Sequence, residues 1–182
     1  MSVRGFPCYA PHATLAPMDD LDHRLAAAAD RLASFAPALR DGTWPLAERF
    51  DHAPEAAWGP RELLAHLAEM LPYWLGEAER IIDMKAGPEP FGRAATNDVR
   101  LAIIERDRTL PIRELQARVA AGIERWRRRW AELDGATRAR RGLHPTLGEL
   151  TVGEIGSRFV TGHLDDHFDQ LTAILSDGTR AG

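Results

Sequence analysis

The chain has 182 residues, of which 45% are hydrophobic and 27% charged, and Lys+Arg 23 against Asp+Glu 27 leaves a formal net charge of −4. This length suits one domain whose core needs no disulfide or metal merely to fold, and the acidic balance argues against holding polyanions by bulk charge. The single cysteine, Cys8, excludes an intramolecular disulfide framework and any CxxC metal site and fits a reducing cytoplasm.

Residues 1–17 hold Pro7, Pro11 and Pro17 with little periodicity, and read as an irregular arm ahead of a domain over 18–182. They lack the apolar stretch of a signal peptide, and no apolar run in the chain approaches the roughly 20 residues of a membrane span. The first helix is expected over Asp19 to Leu39, where Leu21, Leu25, Ala28, Leu32 and Phe35 repeat at three- and four-residue steps. Asp19 and Asp20 suit its positive N-terminal end, and Pro37 and Gly42 mark its close. A loop with Trp44, Pro45, Pro54 and Trp58 follows.

The second helix begins near Pro60, a residue tolerated in a first turn, and reaches about Met84. Its apolar stripe is Leu63, Leu67, Met70, Trp74, Ala78 and Ile81, and Pro72 within it predicts a kink. Gly87, Pro88 and Pro90 make the next loop. The third helix is expected in two pieces, Asn97 to Arg106 and Pro111 to Leu133, the second with Leu115, Val119, Ile123, Trp126 and Trp130 inward. Asp134 to Thr146 reads as a loop. The last helix starts at Thr151, where Thr151 and Glu154 form a capping box, and ends near Ser176. Ala, Leu, Glu and Arg dominate and no strand signal stands out, so four amphipathic helices imply an all-α four-helix bundle with its third helix interrupted near Pro111.

Of the seven histidines, His163 and His167 form an HxxxH pair, about 40° apart on one helix face and one turn apart. Val152, Gly156, Phe159, Gln170 and Ile174 share that face, while Arg158, Asp165 and Asp169 lie opposite, so both imidazoles fall in the inward stripe. His66 sits at the edge of the inward arc of the second helix, beside Leu63, Leu67, Met70 and Trp74. Three imidazoles from two helices could present three nitrogens to one cation and leave a further position open, the pattern of a catalytic site rather than a closed structural one. The plainer alternative is a set of polar contacts within the core.

The segments WGPRELLAHLAEMLPYW (Trp58 to Trp74) and HPTLGELTVGEIGSRFVTGHLDDHFDQL (His144 to Leu171) carry a resemblance. The chain resembles the DinB superfamily of DinB/YfiT-like metal-dependent enzymes, from about Met18 to Leu175. The family pattern places one histidine on the second helix and an HxxxH pair, soon followed by Gln-Leu, on the last; here these are His66, His163 and His167. The resemblance implies an up-down-down-up four-helix bundle, frequently a homodimer, and a divalent metal such as zinc or nickel held by the three histidines. It also implies action on a small molecule. Relatives of known activity use low-molecular-weight thiols (bacillithiol, glutathione or mycothiol) in transfer reactions or in maleylpyruvate isomerisation.

An open three-histidine site could make hydroxide from bound water for hydrolysis, or bind a thiolate and pass it to an electrophile. Glu62, Glu69, Glu77, Asp166 and Gln170 are candidates to orient the imidazoles, with Gln170 and Glu77 facing nearest by helical angle. Cys8 has no histidine partner in a recognisable motif, and GxSxG, Walker A and GxGxxG motifs are absent. Arg125, Arg127, Arg128 and Arg129 interleave with Trp126 and Trp130, followed by Arg138, Arg140 and Arg141. The tryptophans belong to the core stripe and the arginines to a wet face, so nucleic acid is not an expected partner. The competing function is a non-catalytic dimeric bundle, a binding or stress protein with a vestigial site.

Overall fold

A computed structural model describes residues 20–39, 44–47, 50, 55–85, 87–94 and 96–180, the side chains of 56 and 177–180 excepted. The expected arm over 1–17 lies outside the described residues, as do Cys8, His12, Gly42, His52 and Pro54. Helix α1 is Asp20–Ser34, α2 is Pro60–Asp83, α3 is Asp98–Asp107, α4 is Ile112–Glu132 and α5 is the short Gly135–Arg138. Two strands follow, β1 (Arg141–His144) and β2 (Gly148–Thr151). The last helix, α6, spans 152–180 as three consecutive segments: α-helical Val152–Ile155, π-helical Gly156–Gly162 and α-helical His163–Arg180. A single 3-10 turn, Glu55–Ala57, precedes α2.

The boundaries follow local chemistry. Asn97 accepts from the Arg100 backbone N–H and starts α3. Thr151 and Glu154 form the expected capping box at the start of α6. α1 stops before Leu39 because the residue ahead of Pro37 is disfavoured in helical conformation, and 35–38 close as turns, with Leu39 N donating to Phe35 O at 3.0 Å. α2 runs unbroken through Pro72, whose ring is on the exposed side. α6 continues past Ser176 to Arg180, since one internal glycine costs a helix only about 1 kcal/mol.

Ion pairs and packing fix the topology. Arg24 reaches Asp165 at 2.7 Å and Arg31 reaches Asp169 at 2.6 Å, so α1 and α6 run parallel. Trp126 Nε1 donates to Leu71 O at 2.9 Å and Arg129 meets Glu79 at 2.6 Å, so α2 and α4 also run parallel. Asp22, at the start of α1, pairs with Arg127 near the end of α4, while Phe35, past the end of α1, packs edge-on against Phe168, beside the His167 that meets His66 early in α2. The two pairs are therefore antiparallel to each other, which makes the order up-down-down-up. Trp126 and Trp130 are buried in the core, and Arg127 and Arg129 lie along its rim in ion pairs. Among the described residues, no helix is long and apolar enough to cross a membrane.

The strands correct the expectation of a plain loop after Asp134. β1 and β2 form an antiparallel hairpin with Gly142 opposite Leu150 and His144 opposite Gly148. The pattern was hard to see because the strands are four residues each and only Leu150 and Gly142 point into the core. Gly148, at φ +75°, closes the turn. The 89–91 segment adds along the outer edge, with Leu143 N donating to Glu89 O at 2.9 Å and Phe91 N to Leu143 O at 3.1 Å.

Two glycines set how closely the helices approach. A Cβ at Gly122 of α4 would lie 2.8 Å from Leu71 Cδ1 and 2.9 Å from Leu71 Cβ, and one at Gly156 of α6 would lie 2.7 Å from Leu21 Cδ2. Gly122→Ala is expected to destabilise the protein by about 1–3 kcal/mol through overpacking. Gly76→Ala, on the same bundle with nothing within 4 Å of its added carbon, is expected to stabilise by about 0.5–1 kcal/mol. Denaturant titration of both variants tests the close approach; equal effects would contradict it.

Candidate metal centre

α2 and α6 bring His66, His163 and His167 together inside the bundle. His66 Nε2 lies 2.8 Å from His163 Nε2, which in turn lies 3.0 Å from His167 Nε2. The three rings meet edge to face, with centroids 4.7–5.0 Å apart. Nitrogens sharing one zinc at about 2.0–2.1 Å stand about 2.8–3.4 Å apart for bond angles between perpendicular and tetrahedral. The observed spacing is at the short end of that range. The π-helical segment Gly156–Gly162 ends directly at His163. A π-turn shifts every later side chain around the axis relative to an ideal wheel, and such turns are frequent at functional sites. Thr161, two residues before His163 and so on the other side of the helix, is fully buried, with Oγ1 donating to Ser157 O at 3.2 Å.

The surroundings orient the imidazoles. Gln170 Oε1 lies 3.2 Å from His167 Nδ1, and Gln170 Nε2 donates to Glu55 O at 3.0 Å. Because the amide oxygen can only accept, the proton of His167 is on Nδ1 and its Nε2 keeps a lone pair for the centre. Glu55, on the 3-10 turn before α2, places one carboxylate oxygen 3.7 Å from His167 Nε2 and pairs the other with Arg100 of α3. Arg100 is 4% exposed, and its Nη2 lies 3.3 Å from His66 Nδ1 and 3.5 Å from His66 Nε2. Glu55, His66, His163 and His167 each offer one ligand atom within 4.8 Å of all the others. Trp58 packs against both His66 and Arg100, and its buried Nε1 has no hydrogen-bond partner among the described residues.

Burial, reinforced by the neighbouring histidines and by Arg100, pushes His66 well below the ordinary histidine range. Burial likewise lowers His163 to about 3, with His167 and Arg100 adding to it. His167 is lowered by burial too, against the opposing pull of the Glu55 carboxylate and the Gln170 hydrogen bond. All three imidazoles are therefore neutral near pH 7, the state a metal ligand requires.

Of the five expected orienting residues, Gln170 alone touches the cluster. Glu77 is corrected: it accepts from Gly92 N at 2.5 Å and pairs with Arg80. Glu62, fully buried, accepts from Ala47 N and Gly59 N and pairs with Arg108, tying down the start of α2. Glu69 pairs with Arg93 at 2.5 Å, and Asp166 is exposed. Glu55 and Arg100 were missed by the sequence reading. Glu55 lies outside every periodic segment, and the only sign of Arg100 is its place on the buried face of α3 with Ile104 and Asp107. A groove of about 740 Å³ lies beside α2 and α3, walled by Tyr73, Arg93, Val99 and Ile103, and none of the three histidines lines it.

No protein-family model matches the chain, and no curated protein matches it. Among solved structures it is similar to YfiT from Bacillus subtilis, described as a probable metal-dependent hydrolase with an unusual four-helix bundle topology. The two superpose with a TM-score of 0.69 at 16% identity, covering 91% of each chain. The fold is thus the YfiT-like four-helix bundle that the DinB resemblance implies.

The lowered histidines carry a linkage consequence. The unfolded state binds more protons than the folded state between the folded and unfolded pKa values, so stability rises with pH in that window. For His163 the contribution is complete above its ordinary 6.5 and is lost as pH falls toward about 3. Metal-free His163→Gln is expected to lose stability less steeply than metal-free wild type as pH falls from 6.5. Denaturant midpoints across that range provide the check, and identical slopes would contradict the buried, neutral imidazole.

Proposed function

We propose that the chain is a metal-dependent hydrolase of a small molecule, with a divalent ion held by His66, His163 and His167. The convergence of three Nε2 atoms on one point, with a carboxylate oxygen 3.7 Å from one of them, carries this reading. Zinc and nickel both suit three neutral imidazoles. A divalent ion bound there supplies Lewis acidity and lowers the pKa of a coordinated water to about 7.

The chain's own residues supply the rest. His163 is the shared corner of the cluster, since its Nε2 meets both other histidines. Gln170 fixes the tautomer of His167 and anchors itself on the Glu55 backbone. The Glu55 side chain, half-buried and steered by Arg100, is placed to take a proton from a nucleophile at the cluster and return it to a leaving group. That carboxylate favours hydrolysis over thiol transfer. A thiol ionises at about 8.5 even when free, so it has less need of a base beside the metal than water does.

Protein purified without an affinity tag and loaded with zinc or nickel is expected to retain about one equivalent, and His66→Ala, His163→Ala and His167→Ala each to lose it. Glu55→Gln is expected to keep the metal while metal-dependent hydrolysis of an activated ester falls by about 10²–10⁴. Elemental analysis and ester turnover read the two effects separately. An undiminished rate in Glu55→Gln would contradict the role given to Glu55. Metal-dependent consumption of glutathione with no hydrolysis would favour the transferase chemistry instead.

A further inference from the structure

The histidine cluster is not sealed on every side. His66 and His167 are buried, whereas His163 keeps part of its surface in solvent. Gly162, directly before it, leaves room there: among the described residues, a Cβ at that position would meet only Ser157 O of the same helix within 4 Å. One turn before His163 stands the half-buried Phe159. Its ring stacks with Trp74 of α2 at 4.3 Å and with His144 of β1 at 5.2 Å, the planes inclined by 9° and 22°.

His144 is held in one orientation. Its Nδ1 accepts from Thr146 N and Leu147 N, both at 3.3 Å, and Phe91 packs edge-on against the ring at 5.4 Å. Burial holds this imidazole below the ordinary histidine range. Near pH 7 its single proton is therefore on Nε2. That N–H has no hydrogen-bond partner among the described residues. Gly92, at φ +90°, passes beside it without a side chain; a Cβ there would stand 3.2 Å from Nε2 and 3.0 Å from Cδ2, so a larger residue would cover the N–H.

We infer that His144 is a substrate-binding residue of this site, its Nε2–H donating to a carbonyl-type oxygen on the part of the molecule that runs from the three-histidine point past Phe159. The inference rests on the metal reading above and adds the shape of the substrate to it. The reacting group lies at His163, and the acceptor oxygen is on the order of 10 Å away, one helical turn and one ring stack distant. Phe159, braced by Trp74 and His144, lines the apolar span between them.

Hydroxamic acids allow the test, because they bind an open metal position whether or not turnover occurs. Cobalt(II)-loaded wild type, His144→Phe and His144→Gln are assayed for cobalt content. Each is then titrated, by the visible spectrum of the ion, with acetohydroxamic acid and with straight-chain hydroxamic acids of graded length, each length in a methyl-ended and a primary-amide-ended form. Wild type is expected to bind the best amide-ended member about threefold to tenfold more tightly than its methyl-ended pair. His144→Phe keeps a flat ring against Phe159, and is expected to lose that preference at unchanged cobalt content and unchanged acetohydroxamic acid affinity. His144→Gln, whose amide N–H reaches the place of Nε2, is expected to keep part of it. His144→Asn retains an acceptor for the two backbone N–H groups but lacks the outer donor, so it serves if the phenylalanine variant does not fold. No amide preference in wild type at any length, or an undiminished preference in the folded variant without the donor, overturns the inference and leaves the metal reading standing. Equal weakening of all the probes in that variant also overturns it, since that is the mark of a purely structural role. Wild type that retains no cobalt, or that ignores acetohydroxamic acid, overturns the metal reading and this inference with it.

Discussion

Everything at the centre of this bundle depends on keeping three imidazoles neutral while the Nε2 atoms of His66 and His167 are both pressed to within about 3 Å of His163 Nε2. Two protonated histidines at that distance inside a core would repel strongly, and burial alone disfavours the charged form. Arg100 adds to the effect, because a fixed positive charge beside His66 opposes its protonation. What remains is a set of lone pairs facing one point. Between neutral rings each close pair can share at most one proton, whereas a single cation satisfies all three nitrogens at once.

The fold delivers that geometry through backbone features rather than through loops. α2 and α6 carry the three histidines on rigid helices, and the glycines at 122 and 156 let the parallel pairs α2/α4 and α1/α6 pack closely around them. The π-helical turn before His163 sets the angle at which the last helix presents its HxxxH pair. Gln170 and the 3-10 turn at Glu55 then join into one unit, since the amide that orients His167 is itself held by the Glu55 carbonyl. A change at Glu55 therefore acts on the carboxylate, while the backbone anchor of Gln170 can persist.

Much of this was legible in the residues. Apolar periodicity marked all four long helices and their order, because 3.6-residue patterning over fifteen or more positions is a strong signal. Asn97 and Thr151 mark helix starts through side-chain caps and Pro111 through its fixed φ, chemistry that is local by nature. The histidines stood out as polar groups on apolar stripes. The rest depended on long-range placement. Glu77 points by helical angle toward the histidines, yet the 91–93 backbone passes over it and takes its carboxylate. Arg100 and Glu55 meet across 45 residues of sequence, with no periodicity to join them. The hairpin escaped notice because its two four-residue strands bury too little to leave a pattern and owe their form to Gly148 and to packing on Phe91 and Ile81.

The claim on which the account turns is that these three imidazoles share one ion. X-ray absorption at the metal edge of zinc-loaded protein addresses it directly, since imidazole rings leave a distinctive outer-shell signature. The account predicts three histidine nitrogens at about 2.0–2.1 Å, with the remaining scatterers oxygen. A shell with one imidazole or none, or a sulfur scatterer at about 2.3 Å, would place the metal elsewhere and contradict it.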